Sequence, residues 1–301
     1  MGCTIGLDIG GTKIAGAAFD AKGESLAQFA QPTPKTYEAF LETCRVLVDQ
    51  LEQKCGRADS LGVGLPGHFD LFTGFISCQS NLPHISDRPL RADLERLLKR
   101  DILFENDANC AALAEAVEGA GRGHRAVFGL IMGTGIGGGF VLNGRVVSGA
   151  NGIGGEIGHL PLPHYEESDG ERVPCGCGQT GCIERLAAGA ALARRYHAQT
   201  GLHADAKHIA AQARQGDPEA LHVLDLYYTT VAKAMVAILH SFDPDIITVS
   251  GGLNSLPGLY TEVPKRWGKY AINPSLVTRF VPATFGAIAG LRGAALLGKS
   301  A

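Results

Sequence analysis

The chain has no run of 18 apolar residues, so no helix that spans a bilayer is expected. Positive charge is not in excess either. With 27 Lys and Arg against 30 Asp and Glu, the formal net charge is -3, which leaves out the broad basic footprint that nucleic acid or an anionic membrane demands of its partner. The opening residues, MGCTIGLDIGG, carry no basic region and enter a strand pattern at once, so no cleaved leader is expected and the cytoplasm is the expected location. In that setting the eight cysteines are expected as thiols. Cys3, Cys44, Cys55, Cys78 and Cys110 are scattered singly and read as packing residues. Neither glycine tip, DIGGTK or GTGIGGG, has the phosphate-binding spacing GxxxxGK[ST], and no low-complexity stretch or long linker separates the parts.

Glycine is abundant. The 41 glycines in 301 residues are roughly twice the usual share of ~7%, and they gather in DIGGTK, GVGLPG, GTGIGGG, GANGIGG, CGCGQTGC and SGG. These are loops after strands, where backbone turns sharply or approaches a ligand. A chain of 301 residues with 45% hydrophobic content exceeds one ordinary core and is expected to form two domains.

Read in order, residues 4–9 form a strand that turns through Gly10, Gly11, Thr12 and Lys13 into a second strand over 14–20, and a third follows at 25–31. A helix then places Phe40, Cys44, Leu47 and Leu51 on one face. Strands at 61–64 and 101–105 flank a loop and a short helix, and an alanine-rich helix runs over 108–117. The same grammar restarts at Ala126: a strand, a second glycine tip over 133–139 bearing Thr134, then two strands at 140–142 and 146–148. Helices at 186–200, 206–214 and 218–242 precede a strand at 246–249, which runs into Ser250, Gly251 and Gly252. The expected first lobe is 1–117 plus 287–301, with a closing helix at 287–297, and the second is 118–286.

Chemistry that packing does not require lies between Gly155 and Glu184. Cys175, Cys177 and Cys182 fall within eight residues, and His159 precedes them. Three thiolates and an imidazole are the donors of a closed tetrahedral zinc site, structural because no position remains open. Such a knot would hold Glu156 and Glu184 at fixed separation, a clamp suited to a hydroxyl-rich ligand. A metal on one nitrogen of His159 would leave the other as a preset donor.

The two glycine tips suit phosphate, because amides unobstructed by Cβ atoms can converge on anionic oxygens. Asn106 and Asp107 sit where a strand meets a helix. Position alone leaves two readings open for them, a helix cap or a catalytic pair.

Together, LDIGGTK at 7–13, ENDAN at 105–109, GTGIGGG at 133–139, GEIGH at 155–159, CGCGQTGCIE at 175–184 and SGG at 250–252 resemble the ROK family of sugar kinases over nearly the whole chain. The resemblance implies an α/β fold of two ribonuclease-H-like (actin-like ATPase) domains with an interdomain cleft for ATP and sugar. It implies Asp107 as catalytic base, with Gly67, Asn81, Asn106, Glu156, His159 and Glu184 on the sugar. Nucleotide binding would fall to Asp8, Gly10, Gly11, Thr12, Lys13, Gly133, Thr134, Gly135, Gly137, Gly138, Gly251 and Gly252, with Mg²⁺ near Asp8. Zinc would take His159, Cys175, Cys177 and Cys182. NLP at 81–83, RPLRADL at 88–94 and the long insert before Cys175 look most like members that phosphorylate N-acetylglucosamine at its 6-hydroxyl, with fructose-phosphorylating members close behind. A homodimer is implied by the resemblance alone.

Relatives carry a Gly-Asp pair where this chain has Gly286 and Ala287, which puts a polar contact from that turn in doubt. Sugar-responsive repressors of the family resemble this fold behind a helix-turn-helix domain, for which there is no room before Asp8. A non-catalytic sugar-binding protein would keep Glu156, Glu184 and zinc, yet has little need of Asp107 or two phosphate tips.

Overall fold

A computed structural model describes residues 2–69, 74–77 and 82–299. The expected sugar contact Asn81, and Cys78, lie outside the described residues. Alternating apolar stretches and glycine turns produce, in chain order, β1 (Thr4–Ile9), β2 (Lys13–Phe19), β3 (Ser25–Pro32), α1 (Tyr37–Cys55), β4 (Ser60–Leu65), β5 (His68–Phe69), β6 (Ile76–Ser77), α2 (Leu90–Leu98), β7 (Leu103–Asn106) and α3 (Asp107–Val117). There follow β8 (Ala126–Met132), β9 (Ile136–Leu142), β10 (Arg145–Val146), α4 (Ile183–Ala187), α5 (Gly189–Thr200), α6 (Ala206–Arg214), α7 (Pro218–Phe242), β11 (Ile246–Ser250), α8 (Leu259–Trp267), β12 (Arg279–Pro282) and α9 (Ala289–Leu296). None of the described helices is long and apolar enough to cross a membrane.

The strands form two five-stranded sheets of like plan, ordered β3-β2-β1-β4-β7 and β10-β9-β8-β11-β12. In the first, β1 runs antiparallel to β2 and parallel to β4, and β4 runs parallel to β7. In the second, β11 runs parallel to both β8 and β12. Two such mixed sheets, each interleaved with helices, make the α/β, two-domain, actin-like fold.

The chain divides into two compact units: 1–119 with 139–154 and 287–301, and 120–138 with 155–286. The stretch 139–154, grouped with the second lobe from the sequence, goes with the first. Its Ser148 hydroxyl bonds the Glu105 carboxylate, and a Cβ on Gly139 would come within 2.6 Å of Asn109 Oδ1.

In the first unit the core is set by α1. Phe40, Cys44, Leu47 and Leu51 are all buried on one face as the spacing predicts, and each such leucine contributes about 2 kcal/mol of burial. Thr36 caps the helix start by accepting the Ala39 amide, and Gly56, with φ of 79°, ends it. The opposite face of the sheet is covered by α9. Cβ atoms on Gly6 and Gly62 would lie 2.1 Å from the Leu291 carbonyl and 1.9 Å from the Ala294 carbonyl, so only bare backbone at these strand positions lets α9 settle. Leu291 and Ala295 close a small core with Ala15, Ala17 and Phe19. This packing fixes the ends of β1 and β7, where Asp8 and Asn106 stand.

In the second unit the 25-residue helix α7 is the spine, with Tyr227, Val231, Ala234 and Ile238 fully buried. Lys233, also fully buried, reaches Asp169 at 2.7 Å and Glu166 at 2.9 Å. This ion pair anchors the insert between His159 and Cys175. Asp243 follows the helix in the left-handed region with φ of 42°, and Asp245 accepts the Arg125 and Ala126 amides to align β11 beside β8.

Candidate functional site

In the first unit, the turn between β1 and β2 is closed by the Gly10 amide donating to the Lys13 carbonyl at 2.9 Å. The Thr33 hydroxyl donates to the Gly10 carbonyl at 2.6 Å, a brace that the sequence motif gave no hint of. Thr12 and Lys13 are exposed at the tip. Asp8 lies partly buried at the end of β1, where burial, and then the negative charge of Asp107, push its carboxyl up to about 6, with Lys13 opposing.

Asn106 is the N-cap of α3. Its Oδ1 accepts the Ala108 amide at 2.8 Å and the Asn109 amide at 3.3 Å, and its Nδ2 donates to the Gly67 carbonyl at 2.9 Å. Gly67 has φ of 92°, which a side chain would resist. Of the two readings, the cap is therefore present, and one Nδ2 proton remains available to a ligand. Asp107 follows as the first residue of the helix, its Oδ1 accepting the Ala108 amide at 2.8 Å. Burial raises its carboxyl above the ordinary range, while amides of Ala108 and of Asp107 itself oppose the rise.

Glu105, quoted in the motif and given no role, holds this corner together. Its Oε1 accepts the Asn106 amide at 2.8 Å and Asn109 Nδ2 at 2.9 Å, and its other oxygen accepts from Ser148. A carboxylate so bonded orients the helix start. Its place immediately before Asn-Asp was the available signal.

In the second unit, the tip between β8 and β9 is shorter than the glycine run suggests. Its closing bond is Gly133 N–H to the Gly135 carbonyl, at 2.9 Å, and Thr134 is exposed at its point. Strand β9 begins at Ile136, so Gly137 and Gly138 lie within the strand and the expected seven-residue tip is corrected. The reason at 138 is packing: a Cβ there would sit 2.4 Å from the Phe128 ring. Gly251 has φ of 87°, and the Ser250-Gly251-Gly252 turn stands beside the tip, with Gly252 N 3.7 Å from where a Gly133 Cβ would be. The expected nucleotide-side turns of this unit are thus adjacent.

The cysteine segment folds as a knuckle. Cys175 N–H donates to the Gln179 carbonyl at 2.8 Å and Gly178 N–H to the Cys175 carbonyl at 3.0 Å. Ile183 N–H donates to the Leu160 carbonyl at 2.9 Å, and Pro161 bridges Cys182, so the GEIGH segment and the last cysteine are tied through backbone. One donor atom from each of His159, Cys175, Cys177 and Cys182 lies within 4.8 Å of the others. His159 Nδ1 is 3.5 Å from Cys175 Sγ, and Cys177 Sγ is 3.6 Å from Cys182 Sγ. Zinc with Zn–S of about 2.3 Å would set its ligands roughly 3.5–3.8 Å apart, so the donor set fits that ion. The thiols differ sharply: the Gln179 amide foremost holds Cys177 down to about 7, while burial and the neighbouring thiols push Cys182 up to about 12.

With Nδ1 turned to the thiols, His159 directs Nε2 toward Glu156, 3.9 Å from Oε2. Both residues are exposed. Glu184, in the first turn of α4, accepts the Ile136 amide at 3.2 Å through Oε2. It occupies space above Gly135, whose missing side chain makes room for it. The structure therefore brings together Glu156, His159 and the thiols, and sets Glu184 against the Gly133–Gly135 tip.

Comparisons with known proteins agree over nearly the full length. The family model described as ROK family matches residues 4–301. An N-acetyl-D-glucosamine kinase of Yersinia pseudotuberculosis is 37% identical over 297 residues, covering 97% of each chain. Among solved structures, the ROK hexokinase from Thermus thermophilus superposes with a TM-score of 0.86 at 36% identity, over 98% of this chain and 97% of that one. A ROK family glucokinase from Streptomyces griseus, solved with glucose and AMPPNP, gives 0.78 at 30% identity over 100% of both chains.

Proposed function

The chain belongs to the ROK family and is an ATP-dependent sugar kinase, and on that premise we propose that its acceptor is N-acetyl-D-glucosamine, phosphorylated on the 6-hydroxyl. The observation that carries the choice of sugar is the 37% identity, over 97% of both chains, to a relative named for that substrate. The reading of the sugar site rests on the pairing of Glu156 with an imidazole whose other nitrogen faces three thiols. In this reading Glu156, the Nε2–H of His159 and Glu184 bind sugar hydroxyls. Asn106 adds its remaining Nδ2 proton, and Gly67 and Asn81 complete the sugar contacts.

Asp107 accepts the proton of the attacking hydroxyl as the oxygen closes on the γ-phosphorus. Phosphoryl transfer has a loose transition state, so the proton leaves late and orientation counts for more than basicity. The α3 cap and the Glu105 bonds supply that orientation. The raised carboxyl of Asp107 adds a modest gain in basicity. The exposed tips at Thr12 and Thr134, with the amides of Gly11 and Gly135, bind phosphate oxygens, the Gly10 and Gly133 amides close the turns that present them, and Gly251 and Gly252 border the adenosine. Asp8 would hold Mg²⁺, which when bound would offset charge on the transferred phosphate. Zinc held by His159, Cys175, Cys177 and Cys182 is structural and takes no part in a bond-making step.

A second reading, a broader hexose kinase, draws on the hexokinase at 36% identity and the glucokinase at 30%. A coupled assay of ADP release separates the two, run with N-acetylglucosamine, N-acetylmannosamine, glucose, fructose and mannose, each with and without Mg²⁺. The proposal expects the highest kcat/KM with N-acetylglucosamine and a product whose phosphorus couples to the C6 protons in NMR. A higher kcat/KM for glucose or fructose, or phosphate at another carbon, overturns it.

A further inference from the structure

We propose that Cys3 and Cys55 form a disulfide on exposure to a hydroperoxide, a covalent modification site that staples the approach to β1 to the last residue of α1. The two sulfurs stand 2.7 Å apart although 52 positions separate them in sequence. That gap exceeds the ~2.05 Å of a disulfide by less than 1 Å, a distance that small side-chain rotations close. From the sequence these were scattered packing residues. In the fold they meet because the Asp59 amide donates to the Cys3 carbonyl at 2.8 Å, while α1 ends at Cys55 with Gly56 turning the chain.

The pair is asymmetric in a useful way. Cys3 is buried and Cys55 half-buried, so an oxidant meets Cys55 first. Burial and the hydrogen bond with Cys55 push the Cys3 thiol up to about 12, which slows its own direct reaction with a peroxide. In the first step the Cys55 thiolate attacks a peroxide oxygen. The O–O bond breaks, sulfur loses two electrons, and the products are a sulfenic acid and hydroxide, which takes up a proton as water when the peroxide is hydrogen peroxide. In the second, the Cys3 sulfur attacks that of the Cys55 sulfenic acid, the S–O bond breaks, and the departing hydroxide leaves as water with the Cys3 proton. The sum is two thiols and one hydrogen peroxide giving one disulfide and two waters. Other described cysteines do not compete for this partner: Cys44 and Cys110 are fully buried in the core, and Cys175, Cys177 and Cys182 face one another.

The staple lies at the leading end of β1, whereas Asp8 lies at the far end. It closes a loop spanning β1 to β3 and α1, so its effect is on the unfolding of the first unit. The test treats the whole protein with a few equivalents of hydrogen peroxide, blocks remaining thiols, digests without reductant and maps peptides by mass spectrometry. Expected is a linked species joining the peptides of Cys3 and Cys55, two hydrogens lighter than their sum and separated by dithiothreitol. The unfolding temperature should rise by roughly 5–10 °C, with no rise in Cys55→Ser. Cys55 recovered as sulfinic acid without any linked peptide, or a rise that persists in Cys55→Ser, overturns the proposal. Because the mapping is done on the unaltered protein, the answer stands even if a variant folds poorly.

Discussion

A methyl group on Gly135 would come within 2.6 Å of Glu184 Oε2, so the absence of a side chain in the tip and the position of a carboxylate in α4 are one structural fact. Gly135→Ala is expected to displace the Glu184 carboxylate and raise the KM for sugar about tenfold, while unfolding shifts by only the ~1 kcal/mol of the lost Ile136 bond. Steady-state kinetics with thermal melts checks this. An unchanged sugar KM removes Glu184 from the sugar site.

Replacing Asp107 by Asn keeps size and helix position but removes the proposed proton acceptor. Turnover is expected to fall by about 10³ or more, with sugar affinity, measured calorimetrically, within a few-fold. A variant that retains a tenth of the kcat shows the proton goes elsewhere.

Asn106 carries two roles that substitution can separate. Asn106→Asp keeps the cap acceptor for the Ala108 and Asn109 amides but loses the Nδ2 donor to Gly67, so the sugar KM should rise while the stability loss is confined to that one bond, about 1 kcal/mol. Asn106→Ala should in addition cost about 1 kcal/mol of stability. Equal stability losses in the two variants would contradict the separation.

Zinc content is checked by elemental analysis of active protein, which is expected to give about one ion per chain. Cys177→Ser, or a strong chelator, is expected to lower metal content, melting temperature and sugar affinity together. Fully active protein without zinc would end the assignment of this cluster.

Asp8 supplies a pH dependence with a definite sign. Its carboxyl is raised in the folded protein to about 6, from an ordinary value of 3.8. Between those values the folded state keeps a proton that the unfolded state has released. Stability of protein free of metal and nucleotide therefore falls as pH rises through that window and levels off above it. Asp8→Asn should abolish this part of the slope and stabilise the ligand-free protein at pH 7. A slope that survives the substitution assigns the effect to another group.

Much of the fold was legible because periodicity reports burial directly. Phe40, Cys44, Leu47 and Leu51 announce the buried face of α1, and Gly10 to Lys13 form the hairpin turn their composition predicts. Composition could not say why a glycine was there. Gly137 and Gly138 read as tip residues but lie in β9, where a bare backbone clears the Phe128 ring. The grouping of His159, Cys175, Cys177 and Cys182 was readable from residue type and spacing, whereas Glu105, Thr33 and Ser148 act through bonds between segments far apart in sequence. Cys3 and Cys55 escaped for the same reason.

The seating of α9 against Gly6 and Gly62 has a bearing on how the protein is made. The first unit holds the earliest strands of the chain, yet the helix that covers one face of its sheet is translated after the entire second unit. A nascent chain emerging from the ribosome would thus expose the small apolar patch around Ala15, Ala17 and Phe19 until Leu291 and Ala295 arrive. Completion of the first unit therefore waits on synthesis of the second, whose elements all precede α9 in the chain and are free to fold before it.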